Sequence, residues 1–167
     1  MAADDPERSE TGPDVAAPGM RGRCACGAIR FELASEPFDA GYCHCRICQL
    51  TSGAPVMAFA TVPVANYRVI AGEPLVRRSS ALAARSFCGD CGTPLTIHAD
   101  YQADTIDFTI ATLDCPGTIV PAFHIWTGSR IDWFDTDDSY PRHAGFRADT
   151  RGMDERVAAG GDVDGHD

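Results

Sequence analysis

A mainly β fold in a single domain is predicted for this chain by three observations. Apolar and β-branched residues come in short runs, Gly and Pro punctuate those runs, and no helical period persists long enough to build an α/β layer. At 167 residues, 44% of them hydrophobic, the chain can close one core but is too short for two sizeable ones.

The strand candidates follow in order. AIRFELA (28–34) alternates apolar and polar positions, the period-2 pattern of a half-buried strand. PVMAFATVP (55–63) is a nearly continuous apolar run bounded by prolines, and NYRVIAG (66–72) is a β-branched run stopped by glycine. LTIHA (95–99), TIDFTIAT (105–112) and TIVPAFHIW (118–126) complete the set. CRICQLTSG (45–53) reads as a short helix ending at Gly53, and part of RRSSALAAR (77–85) is a helix or equally a strand. No repeat recurs at a fixed period.

Residues 1–20 and 147–167 are rich in Ala, Asp, Glu and Gly without periodicity and are expected to be disordered acidic tails flanking a domain at 21–146. The net charge of −10 resides mostly in those tails. No basic stripe is present to neutralise phosphates, so nucleic acid is not expected as a partner. No run is apolar enough to cross a bilayer and the N-terminus lacks the features of a signal peptide, so no membrane partner and a cytoplasmic location are expected. All fourteen basic residues are arginine, which excludes lysine-dependent covalent catalysis. Oligomeric state is left open.

In a reducing compartment, closely spaced thiols are metal or redox candidates before they are disulfides. The eight cysteines fall as Cys24-Ala-Cys26, Cys43-His-Cys45-Arg-Ile-Cys48, Cys88-Gly-Asp-Cys91 and a lone Cys115. In C-x-C on an extended segment both side chains share a face. In C-x-x-C followed by glycine a tight turn, permitted by Gly89 and Gly92, brings two sulfurs to one cation. Cys24, Cys26, Cys88 and Cys91 are therefore expected to close a tetrahedral structural zinc site. A redox C-x-x-C would need a βαβ context that is missing here.

Cys43, Cys45 and Cys48 supply three soft ligands and no obvious fourth, giving a second zinc per chain with an open position. A distant side chain could close it instead. Candidates are Cys115, His98, His124 and His44, the last disfavoured because it should point to the opposite face from the ligands beside it. Arg46 could offset the thiolate charge or engage a substrate carboxylate, and Gln49, Thr51 and Ser52 offer donors beside the cluster.

GRCACGAIRFE, YCHCRICQLTSGAP, SFCGDCGTPL, TIDFTIATLDCP and PAFHIWTGSRIDWFDTDDSYPRH, in that order, resemble the glutathione-dependent formaldehyde-activating enzyme family, also called the centromere protein V/GFA domain. The resemblance implies coiled antiparallel β-sheets, the same two zinc sites, and addition of glutathione to formaldehyde. On it, the chain is expected to be a zinc-dependent carbon-sulfur lyase or thiol-adduct enzyme acting on a glutathione-type thiol and a small aldehyde or related electrophile. Cys43, Cys45 and Cys48 would be at the reacting centre, with Arg46 and His124 as lesser candidates. The alternatives are a non-catalytic zinc module that binds a protein partner and a zinc or aldehyde-stress buffer. Cys115 departs from the family pattern, and is expected to be a small buried hydrophobe.

Overall fold

The computed structural model describes residues 20–148. The tails expected over 1–20 and 147–167 lie outside the described residues, except that Met20 stands in the first strand and Arg147 pairs with Asp39. Ten strands form two sheets. Three strands, β1 (Met20–Arg23), β2 (Arg30–Leu33) and β5 (Tyr67–Ala71), make a small antiparallel sheet ordered β1-β2-β5. Seven strands make the large sheet: β3 (Asp39–Cys43), β4 (Met57–Pro63), β6 (Leu75–Arg78), β7 (Ala83–Phe87), β8 (Pro94–Ala99), β9 (Thr105–Thr109) and β10 (His124–Ile125). Their order is β10-β3-β4-β9-β8-β7-β6.

Each strand has two faces, and β4, inside the large sheet, buries residues on both. On β4, Ala60 and Val62 join Phe31, Leu33 and Phe108 in the core between the sheets. Phe31 is the centre of that core, fully buried and stacked on Tyr67 at 4.9 Å between ring centroids. Its ring occupies the space a Cβ would need on Gly22, so that position of β1 tolerates only glycine. Phe31→Ala is expected to cost about 3–5 kcal/mol, the range for emptying a buried phenyl site, and urea unfolding checks it. The alternate residues Met57 and Phe59 point to the opposite face, where they meet Cys43, Cys48 and Phe123. This second face carries the site.

The mainly β architecture agrees with the sequence pattern, and local physics explains the departures. RRSSALAAR forms no helix; its arginines end β6, two serines turn the chain, and AAR opens β7. TIVPAFHIW yields only the two residues of β10, because Pro121 has no N–H for a ladder and Pro116–Thr118 is a 3-10 turn. β10 also runs parallel to β3, whereas every other named strand pair is antiparallel. The helix α1 (Arg46–Ser52) is present, capped by the Cys45 sulfur, which accepts from the Cys48 N–H, and ended by Gly53 at φ 66°. Among the described residues, no helix is long and apolar enough to cross a membrane.

Candidate functional site

The Sγ atoms of Cys24, Cys26, Cys88 and Cys91 all lie within 4.8 Å of one another. Cys24 to Cys26 is 3.4 Å and Cys26 to Cys88 is 3.7 Å. A tetrahedral zinc with bonds of about 2.3 Å separates its sulfurs by about 3.8 Å, so the group fits that ion. The Ile29 N–H donates to the Cys24 sulfur at 3.2 Å, and the Thr93 hydroxyl lies 3.1 Å from that of Cys91, contacts of the kind that orient thiolate ligands. Left-handed backbone follows each pair at Gly27 (φ 78°) and Gly92 (φ 74°), whereas Gly89, the other glycine expected to shape the turn, has ordinary φ. The cluster ties the β1–β2 turn to the β7–β8 turn.

The second cluster stands at the end of β3 and the start of α1. Cys43 leaves the strand on the face of Phe59, Cys45 caps the helix and Cys48 lies one turn in, so three sulfurs converge. All three Sγ atoms lie within 4.8 Å of one another, and no further His, Cys, Asp or Glu donor joins them among the described residues. Crowding splits their acidities. Hydrogen bonds from Cys43 and Cys48 pull Cys45 down to about 3, while Cys43, bonded to both neighbours and buried, is pushed well up. Cys48, despite a lowering bond with Cys43, is pushed to about 12 by Cys45 and burial. Three sulfurs this close cannot all ionise without a cation between them, and a soft divalent ion such as zinc fits the donor set.

These sulfurs line a cavity of about 100 Å³. Its floor is the outer face of the large sheet. Cross-strand register places Thr61, Asp107, Ile97 and Arg85 in one row across β4, β9, β8 and β7. Arg85 reaches from that row to the cluster, one Nη donating to the Cys48 sulfur at 3.4 Å and the other to Ser79, while its buried Nε has no partner among the described residues. Trp126 and Phe146 line another wall, packed edge-to-face at 4.9 Å. Trp126 has φ 59°, the single non-glycine positive φ among the described residues, a strained conformation of the kind found where a side chain must be aimed.

Asp107 is the acid of this cavity. Desolvation raises its carboxyl to about 6, with Asp39 adding repulsion, against a 2.6 Å hydrogen bond from Thr61 and the more distant charges of Arg85 and His98. The folded chain therefore holds that proton more tightly than the unfolded one. The stabilisation this gives is complete below the ordinary carboxylate range, about pH 4, and is lost as pH rises through about 6. Asp107→Asn is thus expected to be more stable than the native protein above pH 6, by about 2 kcal/mol, with the gap closing toward pH 4 in urea melts run at each pH.

The candidate fourth ligands are elsewhere. His44 is buried and turned away from the sulfurs, as the alternation of the strand requires, and its Nε2 lies 2.9 Å from His124 Nδ1. His124 Nε2 in turn lies 3.1 Å from Asp138. The carboxylate accepts, so His124 carries its proton on Nε2 and receives another hydrogen bond from His44. Desolvation and the neighbouring His124 push His44 down to about 4. Although its own desolvation opposes this, Asp138 is held at about 2 by the Thr136 hydroxyl, the Tyr140 N–H and His124. This chain fastens the 124–142 segment to the backbone between the ligands and does not line the cavity.

Arg46 is exposed and bonds Gln49, outside the cavity. The Gln49 amide donates to the His44 and Ser129 carbonyls, and the Thr51 and Ser52 hydroxyls cap helix carbonyls, so none of the three is a free donor. His98 faces the Ala103 carbonyl. Cys115, expected to be buried, is exposed where the 3-10 turn begins, because Pro116 turns the chain outward there. Arg85 and Asp107 were not among the expected site residues. A lone charge at an inward position of an otherwise apolar strand, as in TIDFTIAT, was the available signal.

Comparison with known proteins finds a family and relatives for the chain. The family model described as "Glutathione-dependent formaldehyde-activating enzyme" matches residues 19–129. An uncharacterized lyase of Schizosaccharomyces pombe is 34% identical over 80 residues, which are 47% of this chain and 56% of that protein, so the chain spans little more than half of that relative's length. A protein of Halomonas elongata, provisionally named a glutathione-dependent formaldehyde-activating enzyme, is 23% identical over 71% of this chain and 81% of its own. A crystal structure of a Rhodobacter sphaeroides protein superposes with a TM-score of 0.48 at 24% identity, covering 57% of this chain and 88% of that one.

Proposed function

The chain belongs to the glutathione-dependent formaldehyde-activating enzyme family, and from that premise we propose that it is a zinc-dependent lyase that joins and parts a low-molecular-weight thiol and a small aldehyde carbon. The observation that carries this reading is the contrast between its two sulfur clusters. One has four sulfurs and sits at a strand-turn junction. The other has three sulfurs and opens on a cavity. Four thiolates complete a tetrahedron and serve folding; three leave room for a substrate.

Zinc held by Cys43, Cys45 and Cys48 would supply a Lewis acid that keeps a substrate sulfur ionised at neutral pH. The remaining roles belong to the protein. Three thiolates and a divalent ion carry a net charge of −1, and Arg85, donating to the Cys48 sulfur, offsets that excess. The apolar walls at Phe59, Ile97 and Trp126 exclude water, which would otherwise compete with sulfur for the aldehyde carbon. Asp107, near neutrality at about 6, can hold or release a proton on the wall of the same cavity. The His44–His124–Asp138 chain stiffens the ligand loop without touching a reactant.

Adduct exchange between ¹³C-formaldehyde and a thiol, followed by magnetisation-transfer NMR on protein of measured zinc content, tests the reading. Two zinc ions per chain and exchange at least about tenfold above the uncatalysed rate are expected. Two tightly held zinc ions with no acceleration for any thiol would overturn it in favour of a binding module. Zinc lost selectively from the three-cysteine site on adding thiol, again without acceleration, would overturn it in favour of a metal or aldehyde buffer.

A further inference from the structure

Resting on that reaction, we propose that the cavity selects a thiol whose body is apolar and flat and whose far end carries a cation or hydrogen-bond donor for Asp107, in preference to a peptide thiol bearing carboxylates. Four features of the cavity carry the inference. First, the lining is mainly apolar and includes Phe59, Leu82, Ile97, Ile125, Trp126 and Phe146, a surface suited to a ring.

Second, the cavity has a single cation in its lining. The chain has no lysine. Arg85, the one basic residue in the lining, donates through its two Nη atoms to Ser79 and the Cys48 sulfur, so that only its buried Nε is without a partner among the described residues. In the adjoining recess past Tyr101, Arg147 is held in a two-point pair with Asp39 at 2.9 Å and lies over the Phe123 ring. A peptide thiol with two carboxylates would enter beside Asp107 and three sulfurs, unpaired and partly desolvated.

Third, Asp107 is the one carboxylate in the lining of this cavity. It lies two strands from Arg85 in the same row, about 10 Å between backbones at the usual strand spacing, and borders both the cavity and the recess. Among the described side chains the Thr61 hydroxyl donates to one of its oxygens, leaving carboxylate capacity toward the cavity. Fourth, the left-handed backbone at Trp126 holds the indole edge-to-face against Phe146, so the aromatic wall is formed before any ligand arrives.

Binding measured by calorimetry on the zinc-loaded protein, without aldehyde, tests the proposal with three probes: glutathione, benzyl mercaptan and 4-(aminomethyl)benzyl mercaptan. Benzyl mercaptan is expected to bind at least about tenfold more tightly than glutathione, and the aminomethyl compound more tightly again. Asp107→Asn is expected to weaken the aminomethyl compound about tenfold and leave benzyl mercaptan within about twofold. Glutathione binding as tightly as benzyl mercaptan would overturn the proposal, as would an Asp107→Asn variant, folded by circular dichroism, that loses nothing toward the amine. If the aromatic thiols bind in the expected order but no adduct exchange is accelerated, the cavity's preference stands and the reaction falls. Fastest exchange with glutathione would keep the reaction and overturn the preference.

Discussion

Cys88→Ser is expected to abolish the cooperative unfolding transition of this protein, and exhaustive chelation of the native chain to do the same. Cys24 and Cys88 are both 1% exposed and belong to the core that Phe31 centres, while Cys26 and Cys91 are exposed, so the four-sulfur group anchors that core to the surface turns. Without metal, four crowded thiols replace a bonded tetrahedron. Structural zinc sites in small peptides are worth about 10–16 kcal/mol, as much as the whole stability of a typical domain, about 5–15 kcal/mol. The small sheet then loses its tie to the β7–β8 turn. Near-ultraviolet circular dichroism during thermal scans checks this. A sharp transition retained in the chelated protein would show that packing alone holds the two sheets together.

Cys45→Ser is expected to leave the fold intact and to lower adduct exchange by about a thousandfold. Cys45 caps α1 through its sulfur, and serine is among the best residues at that position, so the helix keeps its start. The hydroxyl is a poor ligand for a soft cation, and with two sulfurs left the second metal is lost. Several kcal/mol of stabilisation of the reacting sulfur go with it, and about 4 kcal/mol corresponds to about a thousandfold in rate. The measurement is exchange rate beside melting temperature. An unchanged rate in a protein that has lost one zinc would place the chemistry elsewhere in the molecule.

Both expectations concern residues that stand out in the chain because metal sites are local. C-x-C, C-x-x-C and C-x-C-x-x-C each set their sulfurs within a few residues, and the structure brings together the groups that this spacing implies. The β-rich character was equally readable, since alternation in AIRFELA and the buried run PVMAFATVP are properties of single strands. The rest of the site is made by register. Arg85 and Asp107 come from β7 and β9, and they share a wall only because Ile97 of β8 pairs with both. No single strand records which neighbour it will lie beside.

The same reasoning explains where the lesser candidates stand. Arg46 is adjacent to the ligands in sequence, but the helix it begins turns it to solvent, while Arg85, thirty-seven residues after Cys48, reaches that sulfur from across the sheet. His124 is a member of the segment that resembles the family's closing motif, yet it is consumed by His44 and Asp138. Cys115 illustrates the converse, since a small apolar residue after an apolar strand has no pattern that separates burial from exposure. Proline at the next position, which turns the chain, was the one local clue.

Cadmium-113 NMR of the cadmium-substituted protein tests most directly the claim that the two clusters differ in kind. Two resonances are expected, one from Cys24, Cys26, Cys88 and Cys91 that ignores added benzyl mercaptan, and one from Cys43, Cys45 and Cys48 that shifts toward the four-sulfur position as the thiol binds. Two resonances that both hold still under saturating thiol, or a single resonance from a single metal, would contradict the account.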